Sequence, residues 1–360
     1  MEYTSDLLRQ AASLFFPDFK SVSLIGSSER ENDFRAAALA ETGREAESGR
    51  FVVKLAANAF THPARIEGWK TLIRETRSLG AYMPDLIPSR AGHFSESIEA
   101  GGHRFTVWAE EFAPFALAQT EEEFGDSKAY ARKNAARPKN ADGSISAWKE
   151  ELILLFARLG AKHLPGGWGV SGYARLTPFD GDETDEVEEC VRLFAGYLGD
   201  RFPALLPRFE SLRSRFEKKR DALAALYPRL PTSVFQADWN DTNVLLTADG
   251  HFAGLIDCNI AGEDTVLNMA LSIGRCGFNG DGWESPDRAG AVLRLFSRAY
   301  RWNEDEITAA PLLWRYISAL YWGEVNDLKK AEKAEEAAAV LDRIEKQLSD
   351  EVDFRAAMEG

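Results

Sequence analysis

The first third of the chain is patterned as strands around one helix. Ser21–Ile25 leads towards a turn at Gly26-Ser27-Ser28, Gly49–Ala56 is β-rich around a single Lys54, and Arg104–Ala109 runs into the segment Glu110–Pro114. Between the last two, apolar Ile66, Trp69, Leu72, Ile73 and Leu79 recur at helical spacing and predict a helix over Pro63–Tyr82. The rest of the chain reads mostly as helix. The pattern predicts helices over Trp148–His163, Phe209–Tyr227, Pro311–Val325 and Glu332–Asp350. The acidic run Asp180–Glu189 reads as a helix start, capped by Thr184 and continuing through Cys190–Leu198, and Glu121–Asp126 reads as another. One short β-segment interrupts the helices. Val234-Phe235 precedes a polar turn, Val244–Leu246 forms a first arm, Asp249-Gly250 is a hairpin turn, and Phe252–Ile256 returns to end on Asp257.

That interruption carries the chemistry. Asp238 and Asn243 stand five residues apart, and Asp257 follows fourteen residues later. Phosphoryl transfer from ATP needs one carboxylate to take the acceptor's proton and a second carboxylate with an amide to hold Mg²⁺. Magnesium is a hard ion that uses a few protein oxygens and shares the rest of its shell with phosphates and water. A hairpin brings Asn243 and Asp257 side by side, although a lone Asn/Asp loop would more often cap its own backbone.

The segment Gln236-Ala-Asp238-Trp-Asn-Asp-Thr-Asn243, followed by Leu255-Ile256-Asp257, resembles the aminoglycoside phosphotransferase and choline kinase family, whose catalytic loop usually reads His-Gly-Asp-x-x-x-x-Asn before an Ile-Asp strand end. Gln236, Ala237 and Asn268 depart from the family's His, Gly and Asp. The resemblance implies an α+β, bilobal, protein-kinase-like fold. It would have a small β-rich nucleotide-binding lobe over residues 1–109, a hinge at 110–114, and a larger, mainly helical lobe over 115–360 holding the catalytic hairpin. It implies ATP and Mg²⁺ as cofactors, Asp238 as catalytic base, and Asn243 and Asp257 as metal ligands. Lys54 is then the strand lysine on the nucleotide phosphates, paired with Glu75 on the following helix, with Glu67 as the alternative. Gly26 and Ser27 mark the phosphate-covering turn, and the backbone around Glu111 faces the adenine. Gly167-Trp-Gly169-Val-Ser-Gly172 has dinucleotide-loop spacing but lacks the strand-to-helix setting that gives it meaning, and reads as a plain loop. His163, at the end of the preceding helix, has no catalytic role in this reading.

Charge narrows the partners. The net charge of −14 is divided unevenly, −1 up to Val107 and −13 beyond it. Nucleic acid needs clustered Lys and Arg and is disfavoured. An acidic catalytic lobe would attract a cationic small molecule, although solubility alone also explains it. No apolar run is long enough for a membrane span, Met1–Asp6 lacks the regions of a secretory signal, and Cys190, Cys258 and Cys276 fit reduced thiols in a cytoplasmic protein. Trp314, Tyr316, Tyr321 and Trp322 read as core, with a cation-stacking pocket as the alternative. Residues 125–146 read as an exposed insertion. The expected activity is transfer of phosphate to a small-molecule hydroxyl, such as that of an aminoglycoside, amino-alcohol or sugar. Two rivals stand beside it: a catalytically silent nucleotide-binding regulator, and a kinase-like protein that modifies another protein.

Overall fold

The structure is a computed structural model and describes residues 3–30, 32–43, 49–119, 146–275 and 286–360. Cys276, the run Glu121–Asp126 and most of the expected insertion lie outside the described residues. The chain falls into two compact units, one made of Met1–Lys139 with Asp238–Ala261, the other of Asn140–Ala237 with Gly262–Gly360. Among the described residues no helix is long and apolar enough to cross a membrane.

The first unit opens with α1 (Ser5–Ser13), capped by the Thr4 hydroxyl, which accepts from the Leu7 N–H at 3.3 Å. Strands β1 (Phe19–Arg30), β2 (Asp33–Thr42) and β3 (Arg50–Ala57) follow, then α2 (Pro63–Ser78), β4 (Leu86–Ile87), β5 (Glu96–Ala100) and β6 (His103–Glu111). The sheet is antiparallel, in the order β1-β2-β3-β6-β4, with β5 also paired to β6. Alternation along each strand separates its two faces. Ala36, Ala38 and Ala40 of β2, Val53 and Leu55 of β3, and Phe105, Val107 and Ala109 of β6 are buried in one cluster with Leu7, Leu8, Ala11 and Ala12 of α1. The opposite face carries Lys54 and Trp108, and there Trp69 of α2 packs edge-on to Trp108 with ring centres 5.6 Å apart. The helix stops at Ser78, short of the expected Tyr82, because Gly80 turns left-handed at φ 88° and its N–H closes on Arg77 O.

After β7 (Ala116–Leu117) the chain builds α3 (Ala147–Gly160), α4 (Glu186–Arg201), α5 (Leu206–Leu226) and β8 (Thr232–Phe235) of the second unit. It then returns to the first unit as β9 (Val244–Leu246) and β10 (Phe252–Leu255), which form a three-stranded sheet in the order β10-β9-β7. The Asp249-Gly250 turn forms as expected, with Gly250 at φ 86°. The hairpin is fixed to its unit by backbone: Tyr82 N donates to Ala253 O at 2.8 Å and Leu255 N donates to Tyr82 O at 2.9 Å. A Cβ on Gly254 would lie 2.0 Å from Tyr82 O, so only glycine fits between those two bonds. Gly254→Ala is therefore expected to cost about 3 kcal/mol in urea-unfolding free energy, from backbone overpacking and loss of the flanking bonds. A loss below about 1 kcal/mol, the size of one ordinary hydrogen bond, would show that the approach is not tight.

In the second unit β11 (Gly262–Thr265) pairs antiparallel with β8, and α6 (Val266–Arg275), α7 (Pro286–Ser297), α8 (Glu304–Ala319), α9 (Trp322–Lys330), α10 (Ala334–Ser349) and α11 (Arg355–Met358) complete it. The acidic run does start a helix, but the cap is Asp185 rather than Thr184, its carboxylate accepting from Glu188 N at 2.7 Å. The helix expected from Pro311 begins at Glu304, where Asn303 and Glu306 form a capping box that outweighs the proline inside α8. It ends at Ala319, and Val325 belongs to the separate α9. Trp314, Tyr316 and Tyr321 are buried and so belong to the core. Two buried arginines are neutralised there. Arg175 pairs with Glu186 and Arg275 with Glu324, both at 3.4 Å, and both guanidinium groups lie over the Tyr321 ring. Gly167–Gly172 is irregular, as expected, and Ser171 N bonds to Glu263 O.

Candidate active site

Every residue that the sequence assigns to proton, metal and phosphate lies in the first unit. The turn after β8 is held by its own polar side chains. Asn240 Nδ2 donates to Asp238 Oδ1 at 2.6 Å, Asn243 N donates to Asn240 O at 2.9 Å, and Asn243 Nδ2 donates to Asp238 O at 2.9 Å. The Asn/Asp self-capping that a bland loop would show is thus present, and here it positions Asp238 and Asn243 together. Pairing of the hairpin then adds Asp257, because Ile256 N donates to Asn243 O at 2.9 Å. Asp257 itself is left-handed, at φ 64°. That conformation is uncommon outside glycine, asparagine and aspartate, and it marks the end of the strand as a strained position.

Electrostatics ties the group together. Asp238 is pushed up to about 6, first by burial and then by the neighbouring Asp257 carboxylate, against hydrogen bonds from Asn240 and Asn243 and the field of Arg35. Lys54 Nζ lies 3.1 Å from Asp257 Oδ1 and 3.1 Å from Glu110 Oε2. Burial by itself would push its ammonium down, but Asp257 and Glu110 outweigh that and hold it well above its ordinary value. Lys54 is therefore a fixed, permanent cation. Cys258, next along the chain, is buried with its Sγ 3.7 Å from Met83 Sδ, and burial pushes its thiol up. It behaves as the small hydrophobe expected, not as a nucleophile.

Other expected residues stand elsewhere. Glu75 pairs with its neighbour Arg74 at 3.0 Å and Glu67 with Lys70 at 3.0 Å, while the two carboxylates on Lys54 are Glu110 and Asp257. The cause is strand register: β3 pairs Lys54 with Trp108 and Val52 with Glu110, so Glu110 is the same-face diagonal neighbour of Lys54. Gly26 and Ser27 are not in a turn. They lie inside β1, which runs to Arg30 and pairs Gly26 with Ala37 and Ser27 with Ala36, and Gly26 marks a register shift. The ten-residue β2 can be paired throughout only if β1 extends that far. Glu111 is engaged within the sheet's edge. Its N–H donates to Asp85 O at 3.0 Å, and its carboxylate accepts from Arg77, from Tyr82 Oη at 3.3 Å and from Asp85 N at 3.2 Å. Arg35 on β2 was not foreseen. It is held in a fork by Asp33, at 2.8 and 2.6 Å, and no sequence motif signals it.

Gln236, Ala237 and Asn268, the three departures noted in the sequence, are all buried. Asn268 Nδ2 donates to Asp264 Oδ2 at 2.8 Å and to Tyr173 O at 2.9 Å, and burial raises Asp264 to about 6. The Asn268 amide thus ties Asp264 to the Tyr173 backbone.

Among the described residues no group of three or more His, Cys, Asp or Glu side chains is placed to hold a metal unaided. One carboxylate and one amide carbonyl beside Asp238 suit an ion that completes its shell with phosphate and water. No family model matches the chain, and no curated protein does. Solved structures do. An aminopropanol kinase associated with a microcompartment is 15% identical, over 96% of this chain and 95% of its own, with a TM-score of 0.51. An amicoumacin kinase in complex with AMP-PNP, Ca²⁺ and Ami is 14% identical, over 98% and 97%, with a TM-score of 0.55. Identity this low speaks to architecture alone. The chain has the α+β, protein-kinase-like fold shared by these small-molecule kinases.

Proposed function

We propose that this protein is an ATP-dependent small-molecule kinase that phosphorylates an alcohol. The observation that carries this reading is the meeting of Lys54 with Asp257 at 3.1 Å, beside an Asp238 whose raised pKa registers the same Asp257. Phosphate clamp, metal ligand and base thereby form one group. In this reading Lys54 binds the nucleotide's phosphates, and Asn243 Oδ1 and Asp257 hold Mg²⁺. Bound Mg·ATP supplies the transferable phosphoryl group and neutralises charge on the departing ADP. Asp238 orients the acceptor hydroxyl and takes its proton as the alcohol oxygen bonds to phosphorus. A base with a pKa of about 6 is ionised at neutral pH and still accepts a proton readily.

The substrate class follows from charge. The chain beyond Val107 carries a net −13, which concentrates cations by steering. We therefore propose a cationic acceptor, an amino-alcohol or an aminoglycoside. One of the two kinases of the same fold is named for aminopropanol. Labelled ATP, offered with a panel of amino-alcohols, aminoglycosides and neutral sugars, tests the reading. The expected result is label transfer to an amine-bearing acceptor, with the wild-type rate falling as salt rises. Transfer confined to neutral sugars would remove the cationic preference. Nucleotide binding without transfer to the panel or to a whole metabolite extract would favour a silent regulator.

A further inference from the structure

We infer that Glu110, a strand residue, is the positioning carboxylate for the phosphate-binding lysine, so that this nucleotide site is set by the sheet and not by the helix α2. The inference rests on the kinase reading and deepens it. In protein kinases the strand lysine is held by a glutamate on a helix, and movement of that helix switches the site. Here Lys54 Nζ is 3.1 Å from Glu110 Oε2, while the helix acids Glu67 and Glu75 pair with Lys70 and Arg74.

Three features make Glu110 a built partner. Antiparallel register places Lys54 opposite Trp108, which brings Glu110 alongside on the same face. Its other oxygen, Oε1, accepts from Trp108 Nε1 at 2.7 Å, and Glu110 as a residue is only 6% exposed. Trp108 is in turn locked by Trp69 of α2 and is 1% exposed. A buried carboxylate needs a cation and hydrogen bonds on its remaining lone pairs, and Glu110 has both. Lys54 then sits between two carboxylates of different duty. Asp257 is proposed to turn to metal when nucleotide binds, whereas Glu110 has no such competing demand and keeps Lys54 aimed throughout. Because β3 and β6 are joined by a continuous ladder from Phe51–Glu111 to Ala56–Thr106, the pair moves with the sheet.

Calorimetric binding of Mg·AMP-PNP and of adenosine to the full chain tests this. Glu110→Gln is expected to weaken AMP-PNP about tenfold and adenosine less than about twofold, since a charge-assisted bond is lost only to the phosphates' partner. Glu75→Gln is expected to shift neither by more than about twofold, as Glu75 is paired with the exposed Arg74 and not with Lys54. In a Lys54→Met background Glu110→Gln is expected to change AMP-PNP affinity by less than about twofold, because coupled residues are non-additive. Glu110→Asp, which keeps the charge but shortens the reach, is expected to fall between wild type and Glu110→Gln, and it serves if the Gln variant does not fold. Equal losses for adenosine and AMP-PNP, unchanged AMP-PNP affinity in both Glu110 variants, or a further tenfold loss on Lys54→Met would each overturn the inference. A larger loss from Glu75→Gln than from Glu110→Gln would return the role to the helix. Absence of AMP-PNP binding by the wild type would overturn the kinase reading itself, and the inference with it.

Discussion

Asp238→Asn is expected to lower turnover by about 10³- to 10⁴-fold, the upper range for loss of a general base, with folding and nucleotide affinity near wild type. The asparagine can still accept from Asn240, so the turn keeps its shape. Removing this carboxylate does not cost stability at neutral pH. Its folded pKa is raised to about 6 from 3.8, so the folded chain holds the proton more tightly than the unfolded chain. Such a group opposes folding progressively as pH rises above 3.8, and fully once pH exceeds about 6. The same shift fixes the pH profile. The base works deprotonated, so wild-type kcat/KM should rise tenfold per pH unit up to about 6 and then level off. The limb in kcat should lie at lower pH than the limb in kcat/KM, because a cation on Asp257 cancels the charge that helps raise Asp238. Residual turnover of Asp238→Asn should lack the limb altogether. Turnover within about tenfold of wild type, with the limb intact, would assign the base elsewhere.

Asp257→Asn is the second large effect. A loss of about 10³ in kcat/KM is expected, the scale for removing one preorganised electrostatic group from a phosphoryl-transfer site. Nucleotide affinity should lose most of its dependence on divalent cation, read by titrating Mg²⁺ at fixed AMP-PNP. Asparagine is the informative replacement because position 257 is left-handed, at φ 64°, and asparagine tolerates that backbone as aspartate does. Asp257→Ala should show the same chemical defect plus about 1 kcal/mol of destabilisation from the backbone alone. Comparing the two by thermal unfolding separates strain from chemistry. An Asn variant that keeps both its Mg²⁺ dependence and its rate would remove Asp257 from the metal site.

The hairpin was legible because its signals are local. Asp249-Gly250 between apolar arms permits little else, and Asp238, Asn243 and Asp257 are spaced by that one turn and one ladder. The partner of Lys54 was not legible. Helix α2 offers Glu67 and Glu75 at plausible positions, and choosing between them and Glu110 requires the register of β3 against β6, which no residue type announces. The turn read at Gly26 and Ser27 became strand for a related reason. A glycine followed by serines reads as a turn, but pairing along all of β2 draws those residues into β1. Helix ends erred where two local signals competed, as at Pro311, where the capping box at Asn303 and Glu306 prevailed.

The sequence by itself determined the class of fold, the hairpin and the three side chains proposed for proton and metal, because short-range periodicity and turn chemistry set these within a few residues. Tertiary structure decided which carboxylate meets Lys54, how far Asp238 is raised, and that the hairpin packs with N-terminal residues separated from it by more of the chain than its neighbouring helices. Those outcomes depend on long-range pairing and desolvation, which arise only when strands distant in sequence share a sheet and exclude water from the charges between them.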